Sequence, residues 1–85
     1  MPDLPDEERR ILGEVVYELR TRRRLTQEAV ADRAGVSRKY IGDLEGGRRR
    51  ASFDGVVLVT RALGTTLVEF AEEYERRASR VKVTP

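Results

Sequence analysis

Apolar residues recur every three to four positions along most of this chain, and the polar residues between them mark where each run starts and stops. Ile11, Leu12, Val15, Val16 and Leu19 form the first such stripe and predict a helix from about Pro5 to Arg23. Pro5 suits a first turn. Asp6, Glu7 and Glu8 lie where the helix dipole favours negative charge, and Arg22, Arg23 and Arg24 close the other end with positive charge. Two short helices follow, at roughly Gln27–Ala34 and Arg38–Leu44. Thr26 and Ser37 stand just before them, each with a hydroxyl that accepts from a free backbone N–H. Gly35 lies between them, where a tight turn asks for positive φ. Val30, Ala34, Val36, Ile41 and Leu44 face one side, while Arg38 and Lys39 open the third helix on the other. A pair of this shape can push the start of its second member into the major groove of DNA.

Gly46-Gly47 ends the third helix and leads into Arg48-Arg49-Arg50, a flexible basic loop. Ser52 caps a fourth helix that runs to about Leu63, with Gly64 as the stop. Its Val56–Thr60 segment is β-branched and suits a strand. However, Phe53, Val56, Val57, Thr60 and Leu63 fit a helical stripe, and no partner strand is evident. A fifth helix begins with the capping box Thr66-Leu67-Val68-Glu69, and Leu67, Phe70, Ala71 and Tyr74 continue it. The expected organisation is one domain over residues 1–78 and an unassigned tail over 79–85, in which Val81-Lys82-Val83 forms a short arm or stays disordered.

Composition narrows the chemistry. Eighty-five residues make one small domain with a marginal core, helped by good helix packing or a partner subunit. Cysteine and histidine are both absent, which removes disulfides, thiolate metal sites, the commonest general base and the usual zinc ligand. No carboxylate, lysine or serine constellation suggests catalysis, so no enzyme, metal, cofactor or small-molecule ligand is expected. The first residues lack a basic region followed by an apolar run, and no apolar stretch nears the ~20 residues that span a bilayer. A soluble, cytoplasmic, nucleoid-associated protein is expected, with no membrane partner. Net charge is only +2, but it is unevenly spread. Residues 1–19 carry −4, residues 20–50 carry +6 and residues 51–85 balance. The basic excess falls on the helix pair and its flanks, the footprint of a surface that meets phosphates.

The segment LTQEAVADRAGVSRKYIGDLEGGRRR, residues 25–50, resembles the Cro/CI-type helix-turn-helix family, the lambda-repressor-like DNA-binding domains. The resemblance extends over about residues 11–74. Gln27 sits where the family places a glutamine at the start of its second helix. Val30, Ala31, Ala34, Gly35, Val36, Ile41 and Leu44 fill its packing positions, and Glu45-Gly46-Gly47 matches the segment that closes its third helix. Arg-Lys-Tyr-Ile ahead of Leu-Glu-Gly is also similar to controller proteins of restriction-modification operons, which are short dimeric regulators. The implied fold is all-α, a five-helix lambda-repressor-like domain with the helix-turn-helix at its second and third helices.

The resemblance also implies roles. Gln27 would bond a phosphate oxygen, helped by free N–H groups at its helix start. Ser37, Arg38, Lys39 and Asp43 would face the bases. Arg38 would fork onto guanine O6 and N7 or take a phosphate, as would Lys39 less rigidly. Asp43 would accept from cytosine N4 or orient Arg38 or Lys39. Gly42 leaves the same face with fewer contacts. Arg48, Arg49 and Arg50 would clamp the backbone. Tyr40 would touch a phosphate or sugar, or lie half buried against the fourth helix. Arg22–Arg24 would be a solvated helix end or reach a phosphate. Arg20 and Glu45 occupy the positions of a structural ion pair. The apolar face of the fifth helix is internal core or, through Leu67, Val68, Phe70, Ala71 and Tyr74, a dimer contact. The expected function is a transcriptional regulator that binds double-stranded DNA as a homodimer at a pseudo-palindromic operator. The alternative is the antitoxin of a toxin–antitoxin pair, gripping a toxin with its fifth helix and tail.

Overall fold

The computed structural model describes residues 4–81. Five helices follow in order: α1 (Asp6–Arg22), α2 (Gln27–Ala34), α3 (Arg38–Glu45), α4 (Phe53–Ala62) and α5 (Leu67–Arg80), with no strand among the described residues. Side-chain caps set four of the five starts. Thr26, Ser37, Ser52 and Thr66 each accept from the backbone N–H three residues on, and the Thr66–Glu69 capping box closes in both directions. Pro5 is the N-cap of α1 rather than part of its first turn. Gly35 ends α2 at φ 74°, the left-handed conformation that a residue without Cβ adopts at least cost.

The core is built from all five helices. Val15, Val16 and Leu19 of α1 meet Val30, Ala31 and Ala34 of α2, Ile41 and Leu44 of α3, Val59 and Ala62 of α4 with Leu63 after it, and Phe70 of α5. α3 is wedged between α1 and α2, α4 rests on α2, and α5 lies back along α1. The wedge has two buried sides and leaves the third free, so the outward face of α3 is open to solvent.

Three expectations are corrected. The buried line of α4 is Gly55, Val59, Thr60 and Ala62, not the stripe through Phe53 and Val57: Phe53 is 69% exposed and Val57 half-buried. The segment is apolar on every side, so periodicity alone does not choose its inner face; packing against α2 does. Phe70 is 3% exposed and is chiefly a core residue that also lines the groove between α4 and α5, unlike the exposed Leu67, Val68 and Ala71. Helix α5 continues through Ser79 and Arg80, two residues into the stretch read as a tail. The proposed arm at 81–83 lies mostly outside the described residues.

Candidate nucleic-acid interface

The outward face of α3 follows from its inward one. Ile41 and Leu44 are buried, so at 3.6 residues per turn Arg38, Lys39, Gly42 and Asp43 turn away from the core. Arg38 and Lys39 are exposed and Asp43 is partly covered. Ser37, also exposed, uses its oxygen as the α3 cap, accepting from the Tyr40 N–H at 3.0 Å.

A chain of side-chain bonds runs from the protein interior to this face. Arg20 of α1 donates through Nε to Glu45 Oε2 at 2.6 Å and through Nη2 to Oε1 at 3.1 Å. Its Nη1 donates to the Leu25 carbonyl at 2.8 Å. The two side chains are 12% and 6% exposed, so this is a buried, bidentate pair at the heart of the α1–α3 contact. Glu45 also accepts from Gln27 Nε2 at 3.0 Å, and Gln27 Oε1 accepts from Arg38 at 3.2 Å. An ionised carboxylate only accepts and a guanidinium only donates, which fixes the direction of the amide between them. The Gln27 amide also lies beside Gly42, at ordinary contact distance from where a Cβ would stand.

Asp43 binds two cations, Lys39 Nζ at 2.6 Å on one oxygen and Arg48 Nη2 at 3.3 Å on the other. The Lys39 hydrogen bond, with help from Arg48, holds its carboxyl below the usual carboxylate range, so it is ionised at neutral pH. Arg48 further donates to the Gly42 carbonyl at 3.2 Å, where the last turn of α3 attracts positive charge. Arg49 lies over the Tyr40 ring at 4.6 Å, a cation–π contact. The first two arginines of the basic loop thus each have a partner, Arg48 on Asp43 and Arg49 on Tyr40. Arg50 is exposed beside them.

Of the two expected settings for Tyr40, the structure shows the half-buried one against α4. A methyl group on Gly55 would collide with its hydroxyl, so the ring and α4 meet closely. The close approach of Gly55 to Tyr40 and the link from Gln27 to Glu45 go beyond the sequence reading. The signals were a glycine early in α4 and a polar residue opening α2, and each takes its meaning from a partner distant in sequence.

A second surface lies on another side. Leu4, Phe53, Val56, Leu67, Ala71 and Tyr74 line an apolar groove between α4 and α5. Val68 stands nearby at 67% exposure. Among the described residues no helix is long and apolar enough to cross a membrane, and no acidic, histidine or cysteine cluster is suited to a metal ion.

Comparison with known proteins agrees with this geometry. Residues 11–72 match a family model described as a helix-turn-helix domain. The chain is similar to y4dJ of Sinorhizobium fredii, an uncharacterized HTH-type transcriptional regulator. The two are 38% identical over 61 residues, which cover 72% of this chain and 79% of that protein. Among solved structures it is similar to the restriction-modification controller protein C.AhdI of Aeromonas hydrophila. That match has 31% identity and a TM-score of 0.73 over 75% of this chain and 97% of that one. The clp gene regulator ClgR of Corynebacterium glutamicum is similar at 27% identity and a TM-score of 0.76, over 87% of this chain and 92% of its own.

Proposed function

The chain belongs to the helix-turn-helix family of transcriptional regulators, and from that premise we propose that it binds a pseudo-palindromic operator in double-stranded DNA as a homodimer, in the manner of a controller protein. The observation that carries this reading is the open face of α3. Its inner side is anchored by Ile41 and Leu44, and its outer side presents Arg38, Lys39 and Asp43 beside a row of arginines. The five-helix domain acts as the single DNA-binding unit, and two copies of α3 enter successive major grooves about 34 Å apart.

In this reading Ser37, Arg38, Lys39 and Asp43 meet base edges. Arg38 is the strongest reader, because its planar fork matches guanine O6 and N7 and contributes roughly 1–3 kcal/mol of discrimination. Gln27 has a second amide hydrogen left for a phosphate at the α2 start. Arg48, Arg49 and Arg50 meet the backbone, with Tyr40 supporting Arg49 from beneath. Leu67, Val68 and Ala71, with the edge of Tyr74, supply the contact between copies. None of the similar proteins described above is named as an antitoxin.

The test is selection of bound duplexes from a random pool, followed by two substitutions. Arg38→Ala is expected to relax preference at one base position of the selected site. Arg49→Ala is expected to weaken all duplexes alike and to flatten the salt dependence by about one phosphate contact. Identical effects from the two would remove base reading by Arg38.

A further inference from the structure

Asp43 is the only acid that α3 turns outward, since Glu45 is spent on Arg20. Both of its oxygens are taken, one by Lys39 and the other by Arg48. The two cations stand further out than the carboxylate: their side chains are 81% and 65% exposed, against 20% for Asp43. Any duplex that approaches α3 meets two positive groups already satisfied by a negative one behind them.

We propose that Asp43 sets specificity by holding Lys39 and Arg48 in reserve, which lowers affinity for every duplex except one that offers the carboxylate a hydrogen-bond donor of its own. The inference rests on the reading above, that α3 lies in the major groove. The donors available there are the exocyclic amines of cytosine and adenine. Where such an amine stands opposite Asp43, the carboxylate exchanges partners. It bonds the base, and the lysine and arginine are released to phosphates or to guanine. Where guanine O6 or thymine O4 stands there instead, a desolvated carboxylate faces another acceptor, and both the exchange and the release are opposed. Discrimination then comes from a penalty on wrong sequences as much as from a contact with the right one.

The magnitude follows from counterion release. Two cations tied to one carboxylate act as a single positive charge, so about one phosphate's worth of binding is withheld from non-specific DNA. One phosphate changes the slope of log K against log salt by about 0.9, which at 0.1 M salt is about eightfold in affinity.

The experiment uses the whole chain and two probes: a duplex selected by the wild-type protein and one of unrelated sequence. Asp43→Asn and Asp43→Ala are both expected to bind the unrelated duplex about eightfold more tightly at 0.1 M salt. Their salt slopes should steepen and their preference for the selected duplex should shrink. Glu14→Gln removes the same charge from an ion pair with Arg77 on the α1–α5 side and is expected to change binding far less. Equal tightening by Glu14→Gln would show an effect of overall charge and overturn the proposal. Tightening by asparagine but not alanine would show a new amide contact and do the same, as would no tightening at all. Arg38→Ala in the same titrations separates the two levels. If it leaves preference intact, the reading of α3 falls and this inference with it. If it abolishes preference while neither Asp43 variant tightens unrelated DNA, only the reserve falls. Melting curves confirm that each variant is folded.

Discussion

Gly13 of α1 lies directly against Glu45 at the end of α3: a Cβ at Gly13 would stand 2.5 Å from the Glu45 carbonyl oxygen and closer still to that of Leu44. A glycine inside a helix costs about 1 kcal/mol relative to alanine. Here that cost is offset by an approach that brings Arg20 within bonding reach of Glu45 and seats α3 against α1.

Gly13→Ala therefore sets two effects against each other. Helix propensity would stabilise α1 by about 1 kcal/mol. The collision is with backbone oxygens that have no rotamer to change, and overpacking of this kind costs about 1–3 kcal/mol or more. The expected outcome is net destabilisation, read as a lower midpoint in urea denaturation. A rise in the midpoint would mean that α1 and α3 separate easily.

The buried pair gives a larger effect. Glu45→Ala would leave the Arg20 guanidinium enclosed with the Leu25 carbonyl as its remaining hydrogen-bond partner and free the amide of Gln27. Breaking one side of a buried pair costs about 3–5 kcal/mol, enough to leave a domain of this size largely unfolded. Asp6→Ala breaks an ion pair with Arg9 in which the acid is 86% exposed, and is expected to cost about 0–1 kcal/mol. Thermal melts of the two variants give the contrast.

Acid dependence follows from three carboxyls held below their ordinary values: Asp43 by the Lys39 hydrogen bond, Glu69 by the Thr66 backbone N–H and Glu73 by the Arg76 hydrogen bond. A depressed folded-state value means that the unfolded chain takes up protons first. The stabilisation is present above the unfolded values, near pH 4, and is lost as pH falls through the folded ones. The chain has no histidine, the side chain whose ordinary value falls between about pH 5 and 7. Urea midpoints should be flat across that interval and fall below about pH 4.

The α5 surface separates association from folding. Val68 is 67% exposed and Phe70 is 3% exposed, two positions apart on one helix. Val68→Glu is expected to keep the helical spectrum and, on the proposed reading in which this surface joins two copies, to weaken self-association measured by light scattering relative to the wild type. Phe70→Ala leaves a cavity, costs about 3–5 kcal/mol and is expected to lose the fold itself. A dimer of undiminished strength in Val68→Glu would move the contact elsewhere.

These contrasts show where sequence reading reaches and where it stops. The bounds of α2 and α3 were legible because their signals are local: Thr26, Gly35 and Ser37 act on backbone groups within four residues. The outward placement of Arg38 and Lys39 followed from the same short spacing. The inner face of α4 was not legible, because four consecutive apolar residues supply candidates in every direction. The role of Gly13 was not legible either, since the Leu44 and Glu45 carbonyls it meets are distant in sequence and a lone helical glycine carries no mark of what it admits. The pairing of Asp43 with Arg48 likewise needs the chain to turn at Gly46-Gly47 before the two groups meet.

Helix α3 has eight residues and is about 12 Å long at 1.5 Å per residue. Base pairs stack about 3.4 Å apart, so one copy spans only three or four of them. A word that short recurs by chance far too often in any chromosome to mark one promoter. On the proposed reading a single chain is thus too short-sighted to find an address alone, and joining two such words at a fixed distance would turn a common syllable into a rare one.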